Sequence, residues 1–144
     1  MTWPDQNQRS LALTGATGFV GSHLLRHLTA AGWHVRALAR RPGVVGEDGR
    51  AAGSEGRVTP VQGDLADVEA LRELVTGART VIHCAGLVAA RRRSEFQQVN
   101  SQGTANLLRA VDATGGRPRL LLISSLAARE PQLSPYARSK RQAE

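Results

Sequence analysis

Short apolar runs recur along the chain: SLALT (10–14), HVRALA (34–39), RVTPVQ (57–62), TVIHCA (80–85) and RLLLIS (119–124). Their length, their β-branched and leucine content and their boundaries at glycine predict buried strands. Between them the apolar positions take helical spacing. Val20, Leu24, Leu25 and Leu28 share one helix face. In DVEALRELVTG, Asp67 is placed to cap a helix, Val68, Leu71, Leu74 and Val75 form its apolar stripe, and Gly77 stops it. A longer helix is predicted from about 94 to 112, with Asn100, Gly103, Thr104 and Leu107 on the face toward the sheet. Strands alternating with helices imply parallel pairing through crossover helices, hence an open α/β sheet. The segment 40–57 breaks the pattern with five glycines and no apolar stripe. It is predicted as a mobile excursion containing at most a short turn.

Composition narrows the class. A chain of 144 residues with 41% hydrophobic content suits one domain with a real core. No apolar stretch approaches the roughly 20 residues of a membrane span, and MTWPDQNQRS lacks the charged-then-apolar plan of a signal peptide. The single cysteine, Cys84, excludes an internal disulfide and argues against a metal cluster. A cytoplasmic protein without a metal site is expected. The net charge of +7 raises the question of nucleic acid. The arginines are dispersed, only five residues are aromatic, and the densest cluster, Arg91 to Arg93, reads as a solvated turn. No nucleic-acid partner is expected.

The first candidate chemistry lies in TGATGFVG, where Gly15, Gly18 and Gly21 fall at the join of the first strand and the first helix. A helix N-terminus presents unpaired N–H groups and positive dipole character, so it attracts phosphate. Glycine permits a tight turn, close approach of a pyrophosphate and close helix–strand packing. A structural turn could use the same residues, but their place after the first strand of an α/β chain predicts a dinucleotide.

The spacing G-x-x-G-x-x-G, followed by GDL (63–65), HCAG (83–86), VNSQGTANLL (99–108), ISS (123–125) and YARSK (136–140), resembles the short-chain dehydrogenase/reductase superfamily in its extended or atypical, epimerase/dehydratase-like branch. These motifs span nearly the whole chain in the family's order. The resemblance implies a Rossmann-like, doubly wound parallel sheet of about five strands, order 3-2-1-4-5, over residues 1–144. It places Gly15, Thr17, Gly18, Phe19, Val20 and Gly21 around a pyrophosphate. Asp64 and Leu65 fall at the adenine, and Cys84, Ala85 and Gly86 along the cofactor's far side. For Asp64 a turn or capping role is also physically sound, and Cys84 reads more simply as a small packing residue than as a nucleophile. His83 and His23 read as structural.

The second strand ends ALARR, where an acidic residue would bind a ribose 2′-hydroxyl and favour NAD. Arg40 stands there instead, suited to charge-assisted bonds with a 2′-phosphate. NADP is the expected cofactor, with NAD the alternative.

Tyr136 and Lys140 are four apart and share a helix face. Tyrosine, with a reference pKa of about 10, is a poor acid–base catalyst at neutral pH; a nearby ammonium favours the phenolate. The resemblance assigns Ser125 the substrate-polarising hydroxyl, with Ser124 beside it, and counts Tyr136 and Lys140 among the cofactor-binding residues, the lysine suited to a hydrogen bond with the nicotinamide ribose. Asn100 is read as structural support. The expected activity is hydride transfer between NADP and a small carbonyl or alcohol substrate. An epimerase or dehydratase would use the same step transiently. A non-catalytic sensor or scaffold that binds the cofactor is the alternative of a different class. Family members continue past the catalytic helix with further strands and a substrate region, so these parts are expected to be missing from a chain whose last residue is Glu144. The fifth strand would then be an edge that invites association into a homo-oligomer.

Overall fold

The computed structural model describes residues 9–41 and 56–144. Most of the predicted excursion at 40–57, namely 42–55, lies outside them. The described residues build a parallel five-stranded sheet from β1 (Ser10–Thr14), β2 (His34–Ala39), β3 (Arg57–Gln62), β4 (Thr80–His83) and β5 (Arg119–Leu122), in the order β3-β2-β1-β4-β5. Register places Leu11 between Val35 and Thr80, and Leu13 between Ala37 and Ile82. This is the Rossmann-like order expected from the sequence. Helices α1 (Phe19–Ala30), α2 (Val68–Val75), α3 (Arg93–Phe96), α4 (Gly103–Ala113) and α5 (Pro135–Ala143) complete the frame.

Alternation along β1 divides the core in two. Ala12 faces the side where Leu71, Leu74 and Val75 of α2 pack with Leu107 and Ala110 of α4. Leu11 and Leu13 face the other side, against Leu24, Leu25 and Leu28 of α1 and Trp33. Leu71 and Leu74 are wholly buried, each a contribution of about 1.5–3 kcal/mol. Two valines placed on these apolar faces are exposed instead, Val20 at 45% and Val68 at 57%. Both sit in the first turn of a helix that follows a strand, where the helix has not yet come back over the sheet.

Asp67 caps α2 by accepting from the Ala70 N–H at 3.0 Å. The helix predicted near 94–112 runs from Arg93 to Ala113, but Gln97–Gln102 form a wider π turn within it. Such turns insert one residue and re-aim those around it; here Asn100 is buried. Helix α5 begins with Ser134 accepting from the Ala137 N–H and with Pro135 in its first turn, where a missing N–H costs nothing. No described helix is long and apolar enough to cross a membrane.

Candidate active site

The ends of β1 to β4 open into a cleft of about 630 Å³, within the range of roughly 300–1,000 Å³ typical of small-molecule sites. Gly15, Thr17, Gly18, Arg40, Asp64, Leu65, Cys84, Ala85 and Gly86 all line it. The three fingerprint glycines do different things. Gly15 has φ +73°, and a Cβ there would lie 2.6 Å from the Ala85 backbone nitrogen, so it lets two strand ends meet. Gly21 would put a Cβ 2.0 Å from the Gly15 oxygen, so it seats α1 on the turn beneath. At Gly18 an added Cβ would meet only the Gly15 oxygen, at 3.3 Å, and the position is exposed. Gly18 is thus the one open to a ligand. It also caps α1 with no side-chain bond, and the first turn holds no acidic residue, so the helix's positive end is left to whatever enters.

Phe19 and Val20 form the exposed first turn beside this opening, and Gly21 is buried below it; none of the three lines the cleft. Arg40, exposed, follows directly on β2. The Asp64 carboxylate accepts from the Ala66 N–H at 2.7 Å and shapes the turn. Leu65 is buried under Gly103, where a Cβ would come within 2.7 Å of its Cδ1. Sequence reasoning missed the fourth wall, Gln98, Val99, Gln102 and Asn106. The signal was present: Gln98, Gln102 and Asn106 repeat every fourth residue as an uncharged polar stripe. Asn106 donates to the Leu65 carbonyl at 2.9 Å, joining this wall to the adjacent turn.

The wall after β4 is held by hydrogen bonds. Asn100 accepts from the Leu87 N–H at 2.7 Å, and its amide donates to the Leu87 carbonyl at 3.0 Å and to Ser139 Oγ at 2.9 Å. Buried His83 lies between Thr14 Oγ1 and Thr104 Oγ1. Its pKa is lowered to about 4, first by burial and then by the Lys140 charge. Burial pushes the Cys84 thiol up, against the opposing pull of Lys140, which does not suit it to nucleophilic attack. Among the described residues no cluster of three or more His, Cys, Asp or Glu could hold a metal.

The three candidate catalytic residues lie outside the cleft lining, on the neighbouring β5–α5 side. Tyr136 and Lys140 stand on α5 as their spacing predicts. Tyr136 packs edge-on against Phe96, centroids 6.0 Å apart. Lys140 is buried and donates from Nζ to the Ile123 carbonyl at 2.8 Å. Burial lowers its pKa, with Glu144 and Cys84 opposing. A Cβ on Gly86 would stand 4.0 Å from Lys140 Nζ, which marks where the cleft and the α5 helix meet. Ser125 caps the short turn Leu126–Arg129 by accepting from the Ala127 N–H at 3.2 Å, and Ser124 donates to Glu144 Oε1 at 2.5 Å.

Comparison with known proteins agrees with this geometry. The chain is 46% identical over 134 residues to a ceramide reductase of Caulobacter vibrioides, covering 93% of this chain and 40% of that protein. It is 37% identical to sterol demethylase protein B of Methylococcus capsulatus, covering 81% of this chain and 34% of the relative. The solved structure of MoeE5 in complex with UDP-glucose and NAD superimposes with a TM-score of 0.74 at 29% identity, covering 93% of this chain and 46% of that one. The chain therefore spans less than half the length of these proteins. The family model for the NAD dependent epimerase/dehydratase family matches residues 11–144, and the chain belongs to that family.

Proposed function

We propose that this chain is the cofactor-binding part of an NADP-dependent oxidoreductase that reduces a carbonyl, or oxidises the matching alcohol, by hydride transfer. The observation that carries the reading is the single cleft joining the open Gly18 turn, Arg40 and the Cys84–Gly86 wall. A bare, uncapped helix end takes a pyrophosphate, and Arg40 at the end of β2 takes a ribose 2′-phosphate. The nicotinamide, when bound, supplies or accepts the hydride. In reduction, Ser125 holds the carbonyl oxygen, Tyr136 gives it a proton, and Lys140 orients the ribose and favours the phenolate left behind. The one carbon gains a hydride, its oxygen gains a proton, and an alcohol leaves.

Reduction of a lipophilic substrate is favoured. The relatives include a ceramide reductase and a sterol demethylase protein B. Val88, Leu126 and Leu133, on the loops that follow β4 and β5 and precede α5, are exposed at 79%, 78% and 75%. An amide-linked lipid ketone is the first substrate to try, in a cytoplasmic setting.

Titration with NADPH and NADH tests the cofactor half. Arg40→Ala should weaken NADPH about tenfold, the worth of one charge-assisted bond, and leave NADH nearly unchanged; equal losses sink the 2′-phosphate assignment. Tyr136→Phe should abolish turnover while sparing cofactor affinity. Turnover that survives it removes Tyr136 from the chemistry and leaves a binding module.

A further inference from the structure

His83 has a protonation state that its neighbours dictate. Thr104 Oγ1 donates to the Asn100 carbonyl at 2.6 Å. A carbonyl cannot donate back, so the Thr104 proton is committed there and its oxygen can only accept from the imidazole. The proton on His83 is therefore on Nε2, 2.9 Å from Thr104 Oγ1. In the neutral ring Nδ1 is then bare and accepts the Thr14 hydroxyl at 2.5 Å. Thr14 Oγ1 in turn accepts the Ala85 N–H at 3.2 Å. The chain of bonds runs one way from Ala85 to Asn100, and every member is satisfied.

The two ends of this chain are the site. Ala85 lines the cleft. Asn100 fixes both backbone groups of Leu87 and donates to Ser139 Oγ, which donates to the Tyr136 carbonyl at 2.8 Å. We propose that His83, as the neutral Nε2–H imidazole, is a positioning residue that ties the cofactor-facing wall at Ala85 to the helix of Asn100 and, through Asn100, to the helix that carries Tyr136 and Lys140. A second proton on Nδ1 would reverse the bond to Thr14, whose own hydrogen would then lose its acceptor. Thr14 is 0% and His83 1% exposed, so water does not replace that partner. The other elements packed on the ring bring few charges: β1 and α4 face it with hydroxyls, and α5 contributes Lys140, whose charge also opposes a second proton. The link to catalysis rests on the dinucleotide reading above; the protonation state does not.

The test uses the full chain with ¹⁵N-labelled histidine. Nitrogen–proton correlations at neutral pH should show His83 protonated on Nε2 and bare on Nδ1, with no titration near the ordinary value of about 6.5. An Nδ1–H tautomer, or a midpoint near that value, overturns the proposal. Two variants then read the coupling through hydrogen exchange of the Ala85 amide. His83→Leu, which cannot hold Thr14, should speed that exchange by about tenfold or more. His83→Asn, whose amide reaches the place of Nδ1, should restore most of the protection, and NADPH affinity should follow the same order. A folded His83→Leu protein that protects Ala85 like the parent overturns the positioning role. If His83→Leu fails to fold, the ring measurement on the parent and the exchange in His83→Asn decide. If the parent shows the tautomer and the exchange pattern but binds neither NADPH nor NADH, the dinucleotide reading fails and the hydrogen-bond chain stands.

Discussion

Strands β1 and β5 both pair in parallel with β4 and are built from similar apolar runs, SLALT and RLLL. In β1, Leu11, Ala12 and Leu13 are 2%, 0% and 0% exposed; in β5, Leu120 and Leu121 are 40% and 44% exposed. The difference lies in their company. β1 has a strand on each edge and apolar helix faces on both sides, while among the described residues β5 pairs with β4 alone. The candidate site inherits this split. The side that carries the glycine turn is set by backbone against backbone, as at Gly15 and Ala85. The side that carries Ser125, Tyr136 and Lys140 relies more on separate polar bonds, Lys140 to the Ile123 carbonyl, Asn100 to Ser139 and Ser124 to Glu144.

The largest expected effect is at the glycine turn. Gly15→Ala would force a Cβ to within 2.6–2.8 Å of the Cys84 and Ala85 backbone, at φ +73°. Neither the left-handed backbone nor the clash can relax cheaply, and together they should cost about 4 kcal/mol in denaturant unfolding. Gly86→Ala is the contrasting change. Its Cβ would meet Asn100 Oδ1 at 3.1 Å and Lys140 Nζ at 4.0 Å, both side-chain atoms, and no positive φ is involved. A loss under about 1 kcal/mol is expected. Gly86 lines the same cleft as Gly15, so equal damage at the two glycines would mean that Asn100, held by its bonds to Leu87 and Ser139, gives no more than backbone does.

The strands give the next comparison. Leu13→Ala, at a wholly buried position, should cost about 3 kcal/mol, whereas Leu121→Ala, 44% exposed, should cost less than about 1 kcal/mol. Matching losses would show that something covers β5 in solution.

Acid should act through the packed side. The pKa of His83 lies near 4 in the folded chain, below the ordinary 6.5, so between those values the unfolded chain binds the proton more readily. Stability from this group is complete above about pH 6.5 and declines as pH falls toward 4, by up to about 3 kcal/mol. Thermal unfolding across that range should show the decline, and His83→Asn should flatten it. Glu144, held low by Ser124 and then by Arg141, contributes in the same sense but only below its ordinary 4.5. A loss confined to that lower range would shift the acid response to the exposed side.

What could be read in the sequence follows the same division. All five strands, the Asp67 cap and the glycine turn were legible because each depends on neighbours a few residues away. The strand ends were less so: the runs reach 85 and 124, but pairing stops at His83 and Leu122, where the chain turns off to form the cleft wall and the Ser125 cap. Val20 and Val68 fit their helical stripes by spacing, yet spacing does not say where a helix passes off the sheet. The π turn at Gln97–Gln102 has no periodic signature, since it shifts the period itself. His83 could be read as structural but not as one-directional, because that depends on Thr14, 69 residues before it, and Thr104, 21 after.

The smallest expected effect on stability tests the edge of β5. Leu120→Lys replaces a side chain already 40% exposed, so unfolding should move by no more than about 0.5 kcal/mol. Its effect should appear in association instead. An edge strand with unpaired backbone groups and apolar side chains is a template for a second strand, and a lysine there opposes pairing through charge and solvation. Sedimentation over a range of concentrations should show the parent associating and the variant remaining monomeric. A parent that stays monomeric at high concentration would mean that the two exposed leucines do not suffice to recruit another chain. A variant that associates as the parent does would place the contact elsewhere, with the exposed Leu126 and Leu133 next to be changed.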